Sequence, residues 1–333
     1  MGFLRGGRKN RFPVSDHCDG AHFFNPNLNA PAGRGFGDVL KWAANRKPSP
    51  WPKQVVDPPY PFPSDVPRSA VAVTFIGHAS FLLRLGGLTI LTDPVYSEHA
   101  GPFGRLGPRR VRSPGLAFDA LPPIDLMLQS HNHYDHLDKS TLGRIAERGV
   151  RGVVTPLGNR GYLPESLSTR TQEGDWWKTL TGPDGARVTI VPAQHFSART
   201  PFDRNRALWA GFVVQHAGLT VYFCGDSGYG SHFKEIGTRF PYIDVALLPI
   251  GAYEPRWFMA PMHVDPEEAA QAHVDTGARQ SIAMHYGTFQ LTDEAIDEPV
   301  ERLRAELARR ALPAASFEVL GCGETRSYGR SQA

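Results

Sequence analysis

Residues 130–138 read Ser-His-Asn-His-Tyr-Asp-His-Leu-Asp, three imidazoles and two carboxylates within nine positions. Crowded imidazoles repel one another when protonated and leave nitrogens unpaired when buried neutral, whereas a divalent metal takes each as a ligand. The H-x-H-x-D-H spacing therefore points to a metal site in preference to a polar surface loop. Residues two apart on a strand share a side, so His131 and His133 can grip one ion. The turn that follows swings Asp135 and His136 toward a second position. Two ions need more than four ligands, and a carboxylate is the natural bridge between them, so the rest of the chain must supply at least two further histidines and an acid.

Such ligands have to be delivered by regular elements. The apolar run 124–128 predicts a buried strand leading into the histidine loop, and Asp138 is placed to cap a helix over 138–147. Further strands are expected over 71–76, 80–85, 88–91, 188–191, 210–215, 220–224, 244–250 and 281–283, and helices over 231–237, 266–276 and 293–310. His195 follows the 188–191 run, Asp226 follows 220–224, and His285 follows 281–283. Singly, each reads as a surface histidine or a turn aspartate; their recurrence just past apolar runs is the signal. The alternation of strands and helices predicts an α/β chain with two sheets face to face and helices outside.

The 333 residues suffice for one large domain or two smaller ones, and 41% hydrophobic with 21% charged residues is ordinary for a water-soluble protein. A net charge of +3 is too small to mark a nucleic-acid partner. Three widely spaced cysteines, Cys18, Cys224 and Cys322, give no disulfide framework and fit a reducing compartment. The start lacks the apolar stretch of a secretory signal and no long apolar run spans a membrane, so a cytoplasmic location is expected. Arg5, Arg8, Lys9 and Arg11 offer a peripheral contact to anionic lipid as an alternative. Eight prolines between Lys47 and Arg68 exclude helix and central strand there. Residues 1–69 are thus expected as a Pro-rich extension laid over a domain at 70–333. Its aromatic residues Phe23, Phe24, Trp42, Trp51, Tyr60 and Phe62 need a surface to pack on. Nothing in the sequence fixes an oligomeric state.

The order His131, His133, Asp135, His136, then His195, Asp226 and His285 resembles the metallo-β-lactamase superfamily, an αβ/βα four-layer sandwich with two zinc ions at one edge. Within it, the chain resembles the N-acylphosphatidylethanolamine-hydrolysing phospholipase D family. That closer likeness is carried by Gly77-His78-Ala79, Leu91-Thr92-Asp93-Pro94, the run 121–125, the histidine loop, the long run 249–259, the run 263–269 and Gly287-Thr288-Phe289, and covers roughly 70–327.

The resemblance implies that His131, His133 and His195 hold one zinc, that Asp135, His136 and His285 hold the other, and that Asp226 bridges. Iron or manganese is an alternative, since His/Asp sites suit these too. It implies a metal-dependent hydrolase in which a metal-bridged hydroxide attacks a phosphodiester of N-acylphosphatidylethanolamine or a related phospholipid, with Asp135, Asp226 and His263 as the catalytic group. His263 is implied as substrate binder or proton donor, with Tyr253 and Met262 as further substrate contacts; the family has glutamine where this chain has Met262. Asp93 is a candidate to fix a ligand imidazole from behind or else a turn aspartate before proline, and His78 lines the site or bonds a loop. Two other functions stay open at the level of sequence: hydrolysis of another ester, lactone or phosphodiester, and a non-catalytic metal-binding protein at a membrane.

Overall fold

Along β1 (Ala70–Gly77) the side chains alternate between two buried environments: Val71, Val73 and Phe75 enter the central core, while Ile76 enters a second one. The same period of two sends Phe81 and Leu83 of β2 (Ser80–Leu85) inward and Leu82 outward. A sheet apolar on both faces must be covered on both, and that requirement generates the layers. In the computed structural model, which describes residues 11–28, 35–63 and 65–329, two seven-stranded sheets share the central core and carry helices on their outer faces. The fold is the αβ/βα sandwich expected from the sequence.

In chain order the elements are α1 (Phe36–Asn45), β1, β2, β3 (Leu88–Thr92), β4 (Ile124–Leu128), α2 (Lys139–Arg148), β5 (Val150–Pro156), α3 (Glu165–Ser168), β6 (Thr171–Gly174) and β7 (Thr179–Thr181). They continue with β8 (Arg187–Val191), β9 (Gly211–His216), β10 (Leu219–Phe223), α4 (His232–Arg239), β11 (Val245–Pro249), α5 (Arg256–Met259), α6 (Pro266–Thr276), β12 (Gln280–Met284), α7 (Glu298–Arg309), β13 (Phe317–Glu318) and β14 (Thr325–Gly329). The strand orders are β14-β1-β2-β3-β4-β5-β6 and β13-β12-β11-β10-β9-β8-β7. Strands β3 to β6 run parallel, as do β10 to β13, and β8 points the same way as β10 because each is antiparallel to β9. The carboxyl ends of these strands lie along one edge, where open α/β sheets place their sites.

Differences from the sequence reading have local causes. Helix α7 begins at Glu298 and not at residue 293, because Pro299 suits the first helical turn and because Asp293 and Glu294 pair with Arg46 and with the Ala252 N–H instead. Edge strands β6, β7, β13 and β14, strand β5, and helix α1 lacked a strong apolar period. Helix α1 leaves Val39 and Leu40 exposed, so its apolar residues do not announce a buried face.

Before β1 the chain is anchored repeatedly. His17 Nε2 lies 2.7 Å from Asp175, Arg46 Nε donates to Asp293 at 2.9 Å, Trp51 Nε1 donates to the Glu294 carbonyl at 2.9 Å, and Trp42 stacks on Phe258. Of the four basic residues considered for lipid contact, Arg5, Arg8 and Lys9 lie outside the described residues. Among the described residues no helix is long and apolar enough to cross a membrane.

Candidate metal centre

Each sequence-nominated ligand leaves the carboxyl end of a strand at the shared edge. Strand β4 delivers the loop with His131, His133, Asp135 and His136; His195 comes four residues past β8; Asp226 follows β10; His285 directly follows β12. Asp93 directly follows β3, and His78 forms the turn between β1 and β2. Close approach demands small residues beside them. Gly225 has φ +64°, and a Cβ there would meet Ser130 Cβ at 2.9 Å, so the residue before Asp226 has to be glycine. His78, Asp93 and His285 themselves stand in left-handed backbone, with φ of 56°, 30° and 61°. Such positions cost on the order of 1–3 kcal/mol each and persist where surrounding structure over-determines them.

The donor atoms converge in two groups. His131, His133, His195 and Asp226 form one; His78, Asp135, His136 and His285 form the other, with ligand atoms in each group within 4.8 Å of one another. In the first, His131 Nε2 and His195 Nε2 lie 3.0 and 3.1 Å from His133 Nδ1. Those spacings are close to the edge of ~3.3 Å expected for nitrogens about 2.0–2.1 Å from a tetrahedral zinc. Asp226 Oδ2 faces both groups, at 3.1 Å from His136 Nε2, 3.2 Å from His285 Nε2, 3.7 Å from His195 Nε2 and 3.9 Å from His131 Nε2. Yet His136 Nε2, His285 Nε2 and Asp226 Oδ1 are buried and make no hydrogen bond. Buried polar atoms that crowd within contact distance while failing to bond are what a cation between them would satisfy, so the residues fit a pair of metals.

The far sides of His131, His136 and His195 are held, and so is Asp135. His136 Nδ1 donates to Asp93 Oδ2 at 2.7 Å, His195 Nδ1 donates to the Met262 carbonyl at 2.8 Å, and His131 Nδ1 lies 2.9 Å from Ser130 Oγ. His78 Nε2 donates to Asp135 Oδ2 at 3.0 Å. Asp93 is tied down by the Ser130 N–H at 2.7 Å, the Ser130 hydroxyl and Gln129 Nε2. These bonds choose tautomers that leave the opposite nitrogens free for a metal.

Electrostatics follows the same division. Burial pushes His133 down to about 3 and His195 to about 4, and drives His131 well below the ordinary histidine value, helped by neighbouring imidazoles. A neutral imidazole is the form that ligates. Burial also opposes charge on His136 and His285, but Asp226 and Asp135 outweigh it, holding His136 well above the ordinary range and His285 at about 9. A field that favours a proton at these nitrogens favours a metal cation there too. His133 and Asp135 are the two members of these groups not fully buried, so the centre opens on their side.

His263 lies between α5 and α6, its ring 5.0 Å from that of His195 and 5.3 Å from that of His285, and its donor atom falls in a group with Asp226 and His285. Its Nδ1 is buried without a hydrogen bond, and burial drives it well below the ordinary histidine value. The two other expected substrate contacts are placed differently. Tyr253 is fully buried, and its hydroxyl donates to Glu298 Oε1 at 2.8 Å because the chain at 252–254 is strapped to the segment before α7. Met262 is 3% exposed and meets the centre through its backbone carbonyl, on His195. Sequence reasoning missed Gln129 and Ser130, although both adjoin the histidine loop, and Arg199, whose Nη1 donates to the Asn132 and Leu137 carbonyls at 2.7 Å each. No spacing flags Arg199.

Comparison with known proteins bears on the family and the fold. A family model described as the Beta-lactamase superfamily domain matches residues 89–286. N-acyl-phosphatidylethanolamine-hydrolyzing phospholipase D 1 of Caenorhabditis elegans is 37% identical over 271 residues, covering 77% of this chain and 76% of that protein. The mitochondrial protein of the same activity name in Saccharomyces cerevisiae is 34% identical over 236 residues, 69% of this chain but 50% of that protein. Among solved structures, Igni18, a metallo hydrolase from Ignicoccus hospitalis, superposes with a TM-score of 0.58 at 22% identity, over 79% of this chain and 100% of that one, a likeness of fold. Two sheets meeting at a His/Asp cluster, a family match across its strands and relatives of this closeness lead to one assignment: the chain belongs to the metallo-β-lactamase superfamily and is a metal-dependent hydrolase.

Proposed function

We propose that this protein is a phosphodiesterase of the phospholipase D type, hydrolysing N-acylphosphatidylethanolamine or a related phospholipid at a two-zinc centre. The observation that carries the reading is the reach of Asp226 Oδ2 to imidazoles of both donor groups, with the buried imidazole of His263 beside it, one of whose nitrogens falls in a group with Asp226 and His285. In this reading His131, His133 and His195 hold one ion, Asp135, His136 and His285 the other, and Asp226 both. Two divalent cations there supply Lewis acidity, polarising a phosphoryl oxygen and acidifying water. The printed activity of the Caenorhabditis relative supports the substrate class.

The chain's own residues do the rest. Asp93, Met262 and His78 keep His136, His195 and Asp135 turned toward the centre. His263, neutral in its buried setting, donates one N–H to a phosphoryl oxygen or to the leaving alcohol oxygen. Water adds to phosphorus, the bond to the head-group oxygen breaks, and phosphatidic acid and an N-acylethanolamine result. The reading includes peripheral membrane contact, since the substrate is a bilayer lipid, and a cytoplasmic location.

One observation favours a second reading. Met262 presents no polar side-chain atom to a phosphate, which suits hydrolysis of another ester or lactone by the same centre. Purified, zinc-loaded protein assayed on N-acylphosphatidylethanolamine beside a cyclic nucleotide, a lactone and a β-lactam separates the two. Release of phosphatidic acid is expected. Turnover of another substrate with none of the phospholipid would overturn the first reading, and two bound zincs with no turnover at all would favour a non-catalytic protein.

A further inference from the structure

The Beta-lactamase superfamily match begins at residue 89, yet one candidate ligand is held from residue 25. His195 lies in a segment, 192–200, that belongs to no strand, so its peptide has no ladder to fix it. Its carbonyl instead accepts a 2.8 Å hydrogen bond from Asn25 Nδ2, at a point where Asn25 is 9% exposed and His195 not at all. A carbonyl can only accept, so the end of the Asn25 amide at this contact has to be its NH2. The other end, Oδ1, is buried without a partner. Retaining an amide there at that cost points to the bond it makes.

The surrounding arm forms a plug. Cys18 and Phe23 pack with Ala193, Leu208 and Trp209 in a small separate core, with Phe12 and Phe196 against it. Phe23 N donates to the Asn205 carbonyl at 2.8 Å, and Asn205 N to the Ser197 carbonyl at 2.8 Å, so the arm and the 193–197 segment are bonded through one intermediary. Phe196, next to His195, lies edge-on to the His133 ring with centroids 4.5 Å apart. A displacement of this segment would therefore bear first on two ligands of the same group, His195 directly and His133 through Phe196.

We propose that Asn25 is a positioning residue of the metal centre: its carboxamide fixes the His195 peptide, and through it the geometry of the His131, His133 and His195 group. The inference rests on the metal-centre reading above. Chelator competition on the zinc-loaded full chain should show Asn25→Ala weakening one of two metals by about tenfold or more, the usual effect of losing a ligand's supporting partner, with the other metal unchanged. Asn25→Asp, nearly isosteric, sets a carboxylate oxygen against the carbonyl and should do at least as much; its cobalt-substituted form should show an altered visible spectrum for one site. Phe12→Ala trims the plug without touching the His195 carbonyl, and should lower the melting temperature while leaving both affinities intact. Wild-type affinity for both metals in both Asn25 variants overturns the proposal alone, as does an equal loss in Phe12→Ala. Wild-type protein that takes up no metal overturns the centre itself and this proposal with it.

Discussion

Asp93 Oδ2 accepts a 2.7 Å hydrogen bond from His136 Nδ1 at a point where neither side chain is exposed. The bond keeps the Nδ1 proton on the side away from Asp226 and turns Nε2 toward the centre. Asp93→Asn keeps the shape and removes the charge, so it should lower metal affinity by about 10–100-fold in chelator competition while the sheets stay folded by circular dichroism. Unchanged affinity would remove Asp93 from the centre and leave it as a turn residue.

Asp226 is the carboxylate within reach of both donor groups, with four imidazole nitrogens between 3.1 and 3.9 Å of one oxygen. Asp226→Asn should reduce metal content from about two per chain to one or fewer and abolish most hydrolysis, since that one oxygen lies among the free imidazole nitrogens of both groups. Elemental analysis of the purified variant reads this directly. A variant that still carries two metals would mean that the groups are bridged otherwise.

Much of this centre was legible in the sequence because its ligands obey local rules. The H-x-H-x-D-H loop is contiguous, and His195, Asp226 and His285 each trail a strand whose apolar run is plain. The two-sheet architecture follows from the same runs. The supports were not legible. Arg199 clamps the loop by its carbonyls and Asn25 reaches His195 from 170 positions away, and neither leaves a pattern, since hydrogen bonds to backbone carbonyls place no demand on neighbouring residues. Tyr253 misled in the opposite sense: it belongs to a run resembling the phospholipase family, but the structure uses its hydroxyl to anchor Glu298.

His263 shares its neighbourhood with Asp226 and His285, yet it is not required to complete either donor group. His263→Ala should retain both metals and lose about 10²–10⁴-fold in turnover, the range for removing a general acid or a hydrogen bond made to the reacting group. The two readouts have to be taken together. Loss of a metal along with the rate would reassign His263 as a ligand, and full activity would remove it from the reaction.

His17 ties the N-terminal arm to the core by a contact whose strength depends on pH. Its Nδ1 lies 2.6 Å from Asp16 and its Nε2 2.7 Å from Asp175, and its ring stacks on Trp176 at 4.2 Å between centroids. Burial alone would lower its pKa, but the hydrogen bonds to Asp175 and Asp16 outweigh that and raise it above the ordinary value. A histidine whose folded pKa exceeds its unfolded one lends stability in full below the unfolded value, about 6.5, and loses that contribution as pH climbs through the folded value. The arm should therefore be held most firmly on the acid side of neutrality and loosen as pH rises above the ordinary histidine value and through the raised folded one. Amide exchange across residues 11–28 measures it, corrected for the intrinsic pH dependence of exchange. Protection should fall with rising pH in the wild type and be lower and flat in His17→Gln, whose amide cannot carry the charge. Protection that holds level or grows with pH in the wild type would show that the neutral imidazole, through its stacking on Trp176, is what secures the arm.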